Sequence, residues 1–111
     1  VSRGLGDVYK RQLTATSAQI QADANIRELR NKTLELEASL RRYNESLRYY
    51  TSSALKEADE LTKAANLQLQ QSETGIAEYI QSITTAREIR RGYIETVYQY
   101  NIAALEYELF K

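Results

Sequence analysis

Residues 72–82, SETGIAEYIQS, separate two long runs of helical periodicity, and how they are read decides the fold. Ser72, Thr74 and Gly75 are the residue types a helix-to-helix turn uses. Gly75 tolerates a positive φ, and the Ser72 and Thr74 hydroxyls can cap exposed backbone groups. Glu78 then falls in the first turn of a second helix, where the helix dipole favours a carboxylate. Helices that pass such a point in opposite directions make an antiparallel hairpin, with 72–76 as its tip.

The runs on either side support that reading. Residues 13–71 contain neither Gly nor Pro, the residues that most often end helices. Apolar positions recur there along two heptad rows. One is Ala22, Leu29, Leu36, Tyr43 and Tyr50; the other is Ile26, Thr33, Leu40, Leu47, Ala54 and Leu61. Rows offset by three and four residues form a coiled-coil seam. Beyond Ala54 the stripe steps through Ala58, Leu61, Ala65 and Leu69, so the heptad slips by one residue. Glu28 with Lys32, Glu37 with Arg41 and Asp59 with Lys63 stand acid-first at i,i+4, which predicts ion pairs along the helix. A helix over 13–71 would be a rod of roughly 90 Å at about 1.5 Å per residue.

The second run, 77–111, carries two rows. Tyr79, Ile83, Ala86, Arg90, Tyr93, Val97, Tyr100, Ala104 and Tyr107 alternate steps of four and three. Beside them lie Ile94, Tyr98, Ile102, Leu105 and Leu109. One residue is about 100° of rotation, so the rows make a broad apolar face where a two-stranded hairpin needs one narrow seam. This helix is therefore expected to have two neighbours. Nine tyrosines against one Phe suit contacts with one wet edge. They read as core, because residues seven apart lie along a line and do not converge into a cation cage.

Composition closes off other classes. Fifteen basic residues balance fifteen acidic ones, and no run of like charge suggests a nucleic-acid partner. Without Cys or His there is no thiol or imidazole nucleophile, no disulfide and no common transition-metal site. No Asp-rich calcium loop occurs, and no apolar run approaches the roughly 20 residues that span a bilayer. No enzyme, cofactor or metal is expected. The chain begins with Val1, which suggests a fragment of a longer protein. Residues 1–12, VSRGLGDVYKRQ, hold Gly4 and Gly6 and lack a sustained period. They resemble an appended sequence that recurs at the ends of metagenomic assemblies, and are expected to be unrelated or disordered. The alternative is a basic arm built on Arg3, Lys10 and Arg11.

The run SETGIAEYIQSITTAREIRRGYIETVYQYNIAALEYEL, with the preceding LRYYTSSALKEADELTKAANLQLQQ, resembles the last long hairpin of the TolC-type outer-membrane efflux proteins. The likeness covers residues 20–110. Three features carry it: the hydrophobic-acidic segment Ile76-Ala77-Glu78, the stretch Thr84-Thr85-Ala86, and the pair Tyr98-Gln99-Tyr100. EYIQS, REIR and YQYN further resemble the heavy-metal efflux branch, in which such a segment is in some bacteria fused behind the pump. The resemblance implies one periplasmic hairpin of a homotrimeric helical barrel, belonging to an outer-membrane protein of a Gram-negative bacterium. The barrel would dock on an adaptor and an inner-membrane pump to export small molecules or metal ions. It implies that Ser72, Glu73, Thr74, Gly75, Ile76 and Ala77 meet the adaptor, while Glu78 and Gln81 face a narrowing pore. Carboxylates ringed by symmetry repel each other and attract cations, so they can set gating and selectivity. For Glu78 the plain alternative is an ordinary acid at a helix N-terminus.

The tip departs from the family pattern. Aligning on Glu78 and Tyr100 places the family's tip glycine on Ser72, with Gly75 three residues later. The basic residue that some members carry after that glycine falls on Thr74. Aligning on Gly75 instead would move the acid position to Gln81. Two alternatives to a channel stay open: a structural coiled-coil spacer, or the hairpin of a periplasmic adaptor. The row 94–109 argues against a lone spacer, and the tip lacks the Arg-Leu-Ser type of signature that adaptor hairpins often carry.

Overall fold

The computed structural model describes residues 2–111, with side chains from residue 4 onward. Helix α1 (Ser2–Tyr49) passes through a π-helical segment (Tyr50–Ala54) into α2 (Leu55–Gln70), and α3 (Ile76–Phe110) returns alongside. The fold is all-α, a long antiparallel hairpin measuring 101 × 25 × 14 Å. Cross-hairpin contacts fix the pairing. The Tyr79 hydroxyl donates to Asn66 Oδ1 at 2.9 Å, and the Tyr50 and Tyr93 rings stand 5.8 Å apart. At the far end Tyr107 donates to Glu37 Oε1 at 3.2 Å, and Thr33 Oγ1 to the Phe110 carbonyl at 3.4 Å. Each pair is centred close to residue 72.

The seam follows the expected rows along the first arm and through Ala86, but towards the end of α3 the buried residue is Ala103, one position before the expected Ala104. Leu36, Ala54, Ala58 and Ala65 on one arm and Ala86 and Ala103 on the other are buried. Most of these are alanines, so the helices approach closely and the core holds little volume. Ala58 and Ala86, both 0% exposed, lie fourteen residues either side of Ser72 and mark the tightest layer. The π-helical turn sits where the heptad slips. A π-turn accommodates one extra residue, which lets Ala58 and Ala65 return to the seam after Tyr50 and Ala54.

Three further expectations are corrected. Residues 2–12 are not disordered but helical and continuous with the rod, since α1 runs from Ser2. Gly4 and Gly6 weaken that end by about 1 kcal/mol each relative to Ala, but a preformed helix extends without a new nucleus. The i,i+4 ion pairs give way to contacts across the hairpin. Asp59 receives Arg90 Nη2 at 2.9 Å, Lys32 reaches Glu106 at 3.8 Å, and Glu37 accepts from Tyr107. Once α3 is present these partners compete with the neighbours along α1, and pairs this exposed contribute about 0–1 kcal/mol. Finally, the positive φ of the turn belongs to Ser72, at 59°, and not to Gly75, at −86°.

The Glu37 contact raises the Tyr107 pKa, through its hydrogen bond first and its charge second. The folded state thus favours the protonated phenol. That contribution is whole below the ordinary tyrosine pKa and is lost as pH rises through the raised value.

Gly92 gives no local signal in the sequence, yet its position is specific. A Cβ there would run into the Tyr50 hydroxyl, with Cζ 3.3 Å away. Ala in place of a helical Gly normally stabilises by about 1 kcal/mol. We expect Gly92→Ala to lose that gain in the wild-type background and to recover it with Tyr50→Phe, which removes the obstructing oxygen. Chemical denaturation of the two single variants and the double variant measures this as a coupling of about 1 kcal/mol. Strict additivity would mean that the ring swings aside freely.

Candidate functional site

The tip is built by the way α2 stops. The Ser72 amide donates to the Leu69 carbonyl at 3.1 Å, and the Glu73 amide reaches back to the Gln68 carbonyl at 2.8 Å. This pair of bonds, with the residue after the C-cap in the left-handed region, is a Schellman ending. Glycine is the usual residue at that position, and here Ser72 occupies it. Left-handed backbone costs a non-glycine residue about 1–2 kcal/mol. Ser72→Gly is therefore expected to raise hairpin stability by about 1 kcal/mol. Gly75→Ala should stay within about 0.5 kcal/mol of wild type, because open space surrounds Gly75 and its φ is ordinary. Equilibrium urea unfolding separates the two. Equal midpoints for S72G and wild type would show that the left-handed conformation stores no strain.

Gly75 is extended (ψ 171°) and is the N-cap of α3, and its carbonyl accepts the Tyr79 amide at 3.0 Å. It supplies no side-chain cap. One residue back, the Thr74 hydroxyl donates to Glu78 Oε2, a side-chain bond that reaches no backbone amide. Glu78 is in the first turn of α3, where the exposed amides carry partial positive charge. Its carboxylate thus both complements the dipole and ties the tip loop to the helix.

The residues singled out in the sequence come together as one exposed end. Ser72, Glu73, Gly75, Ile76, Ala77, Glu78 and Gln81 are all exposed, and Thr74 is half-buried. Glu78 and Gln81 stand three residues apart on one face of α3 and project from the hairpin's end. The Gln81 carbonyl also accepts the Thr85 hydroxyl at 3.0 Å. With nearly every side chain of this end exposed, it suits contact with another surface better than enclosure of a small ligand.

Two features of this end went unread in the sequence. Asn66 and Tyr79 lock the two arms just behind the turn, a pairing visible only once the hairpin closes. Ile76 and Ile80, 63% and 56% exposed, continue the outer face of α3 to the tip. Ile76 lies eighteen residues before Ile94, which is five full turns, so the two share a side. Between them the stripe carries Thr84, Arg87 and Arg91.

The outer row is the other prominent surface. Ile94, Tyr98, Leu105 and Leu109 are 67, 56, 65 and 82% exposed, while Tyr79, Ile83, Arg90, Tyr93 and Val97 of the first row turn into the seam. The hairpin satisfies one of α3's two apolar faces and leaves the second uncovered. No family model matches this chain, and neither a curated protein nor a solved structure matches it.

Proposed function

We propose that this chain is a periplasmic hairpin of a trimeric TolC-type outer-membrane efflux channel, working with an adaptor and an inner-membrane pump to export small molecules or metal ions. The observation that carries this reading is the second apolar face of α3, uncovered from Ile94 to Leu109. A helix in a closed ring of hairpins has neighbours on both sides, and a contiguous apolar surface marks an interface. The tip adds support. The left-handed Ser72 stands where the resemblance places the family's tip glycine, which favours the alignment that keeps Glu78 as the acid position.

In this reading Ser72, Glu73, Thr74, Gly75, Ile76 and Ala77 meet the adaptor, and Glu78 with Gln81 lines the narrow mouth of the pore. The hairpin makes and breaks no covalent bond. It supplies a rigid wall, a docking end and a ring of charge, and cargo moves through under the pump's drive.

Photocrosslinking in cells tests the assignment, with a photoreactive phenylalanine at Ile102 or at Gly75 of the channel protein that carries this hairpin. The Ile102 probe should join neighbouring hairpins, and the Gly75 probe should capture the adaptor. Absence of adaptor capture from Gly75, together with hairpin-only products, would favour a structural spacer.

A further inference from the structure

The two arms of the hairpin are weakest at one height. On the first, Tyr50–Ala54 is the one departure from α-helical bonding between Ser2 and Gln70. Thr51, Ser52 and Ser53 follow one another there, and such residues compete with a helix by bonding their hydroxyls to its backbone. The Thr51 hydroxyl does so, donating to the Leu47 and Arg48 carbonyls at 2.9 and 3.3 Å. Across the seam Tyr50 packs against Tyr93 and reaches over Gly92, the one glycine within α3. Glycine is the weakest helix former after proline, and the Gly92 carbonyl also accepts the Thr96 hydroxyl at 2.8 Å.

We infer that this level is a joint crossing both arms, where the tip half of the hairpin swings against the rest while each half stays stiff. Sharp bends in helices fall at π-turns, and bonds back from serine or threonine to the preceding turn promote them. A bend in one arm alone would be blocked by the other. A joint therefore needs a soft place in both, and here a π-turn faces Gly92 and Thr96. The layers on either side are tied. Ala58 and Ala86, with Arg90 on Asp59, close the seam toward the tip, and Glu37 with Tyr107 closes it toward the other end. From Tyr50 to Ser72 the lever is roughly 30 Å at about 1.5 Å per residue, so a bend of about 10° moves the tip by about 5 Å.

Seam phase alone does not require the π-turn. It takes up one residue, so an ordinary α-helix lacking one residue of 51–53 would present Ala58, Leu61 and Ala65 to α3 as they stand now. The chain keeps the extra residue, and with it a weak turn facing a glycine. The use of the joint rests on the proposed function: an end that docks on a partner can reorient while the far half keeps its place in the wall. The joint itself needs no partner, so its failure in the hairpin alone would leave that reading standing.

Hydrogen exchange of the 111-residue chain is the first test. Amides of residues 51–55 and 92–96 should exchange at least about tenfold faster than those of 40–47 and 80–88 on the same arms. Protection that runs level through both segments would overturn the joint. Gly92→Ala combined with Tyr50→Phe should slow exchange at 92–96 by about fivefold, the change expected when alanine replaces a helical glycine, and unchanged exchange there would count against it. Spin labels supply the second reading. The chain has no cysteine of its own, so Glu35→Cys and Glu60→Cys, both at exposed positions, place labels either side of the π-turn about 40 Å apart. The spread of their distances should narrow when Ser52 is deleted, with the hairpin retained. An equal spread with and without Ser52, or loss of the hairpin on deletion, would overturn the inference.

Discussion

Replacing Ala86 with leucine should lower the hairpin's melting temperature by roughly 10–20 °C, from an overpacking cost of about 2–3 kcal/mol. Ala86 has 0% exposure and faces the layer of Ala58, also at 0%. With methyl groups as the only side-chain volume in that layer, the arms approach closely. A leucine there must push them apart or leave its rotamer. Separation would also stretch the flanking cross-arm contacts, in which Arg90 reaches Asp59 and Thr62 at 2.9 and 3.3 Å and Tyr79 reaches Asn66. Helix propensity does not confound the result, since Ala and Leu are both strong formers. Arg87→Leu, one residue on but exposed, is the control and should melt close to wild type. Circular dichroism at one fixed protein concentration provides the measurement, because association shifts the midpoint. If Ala86→Leu melts with wild type, the alanine layer is not the closest approach.

How much of this was legible in the sequence depends on the distance over which each feature acts. The rows through Leu36, Ala58 and Ala86 could be read because an amphipathic helix repeats its core position every three or four residues. The one-residue slip after Ala54 foreshadowed the π-turn for the same reason, since an extra residue in the helix shifts every later seam position. The exposed row through Ile94 and Tyr98 was likewise written in the periodicity, as an excess of apolar face over what one partner can cover. The Ser, Thr and Gly content points to a turn at 72–76, within one residue of the helix break at 71–75, but not to its left-handed residue. Glycine is the default for positive φ, and only the two backward bonds from Ser72 and Glu73 show which position needs it.

Contacts across the hairpin were beyond reach in another way. Arg90 and Asp59 are 31 residues apart, and Tyr107 and Glu37 are 70 apart. At such separations the choice between a local and a distant partner depends on which side chains the closed fold brings within reach. The close approach of Tyr50 to Gly92 belongs to the same class, because a mid-helix glycine carries no local mark of the ring above it. The tip residues Ser72, Glu73, Gly75, Ile76, Ala77, Glu78 and Gln81 do share one exposed end, as their spacing suggested. The Thr74 bond to Glu78 was not foreseen, and it sharpens what a substitution at Glu78 can separate.

That separation governs the second large effect. Glu78→Gln keeps an oxygen able to accept the Thr74 hydroxyl, so the tip geometry should survive while the charge is lost. Glu78→Lys reverses the charge and opposes the helix dipole, at a cost of about 0.3–1 kcal/mol. The rods remain assembled in both, because the seam begins behind the tip at Tyr79. If three copies of Glu78 ring a pore mouth, the wild-type ring attracts cations and its like charges resist closure. Conductance and ion selectivity of the assembled channel protein in planar bilayers, wild type beside the two variants, therefore address the proposed function most directly. The account predicts cation preference in wild type, a preference reduced toward none with easier closure in Glu78→Gln, and anion preference in Glu78→Lys. Equal selectivity in all three would leave Glu78 as the N-terminal acid of α3 and contradict the pore-mouth assignment.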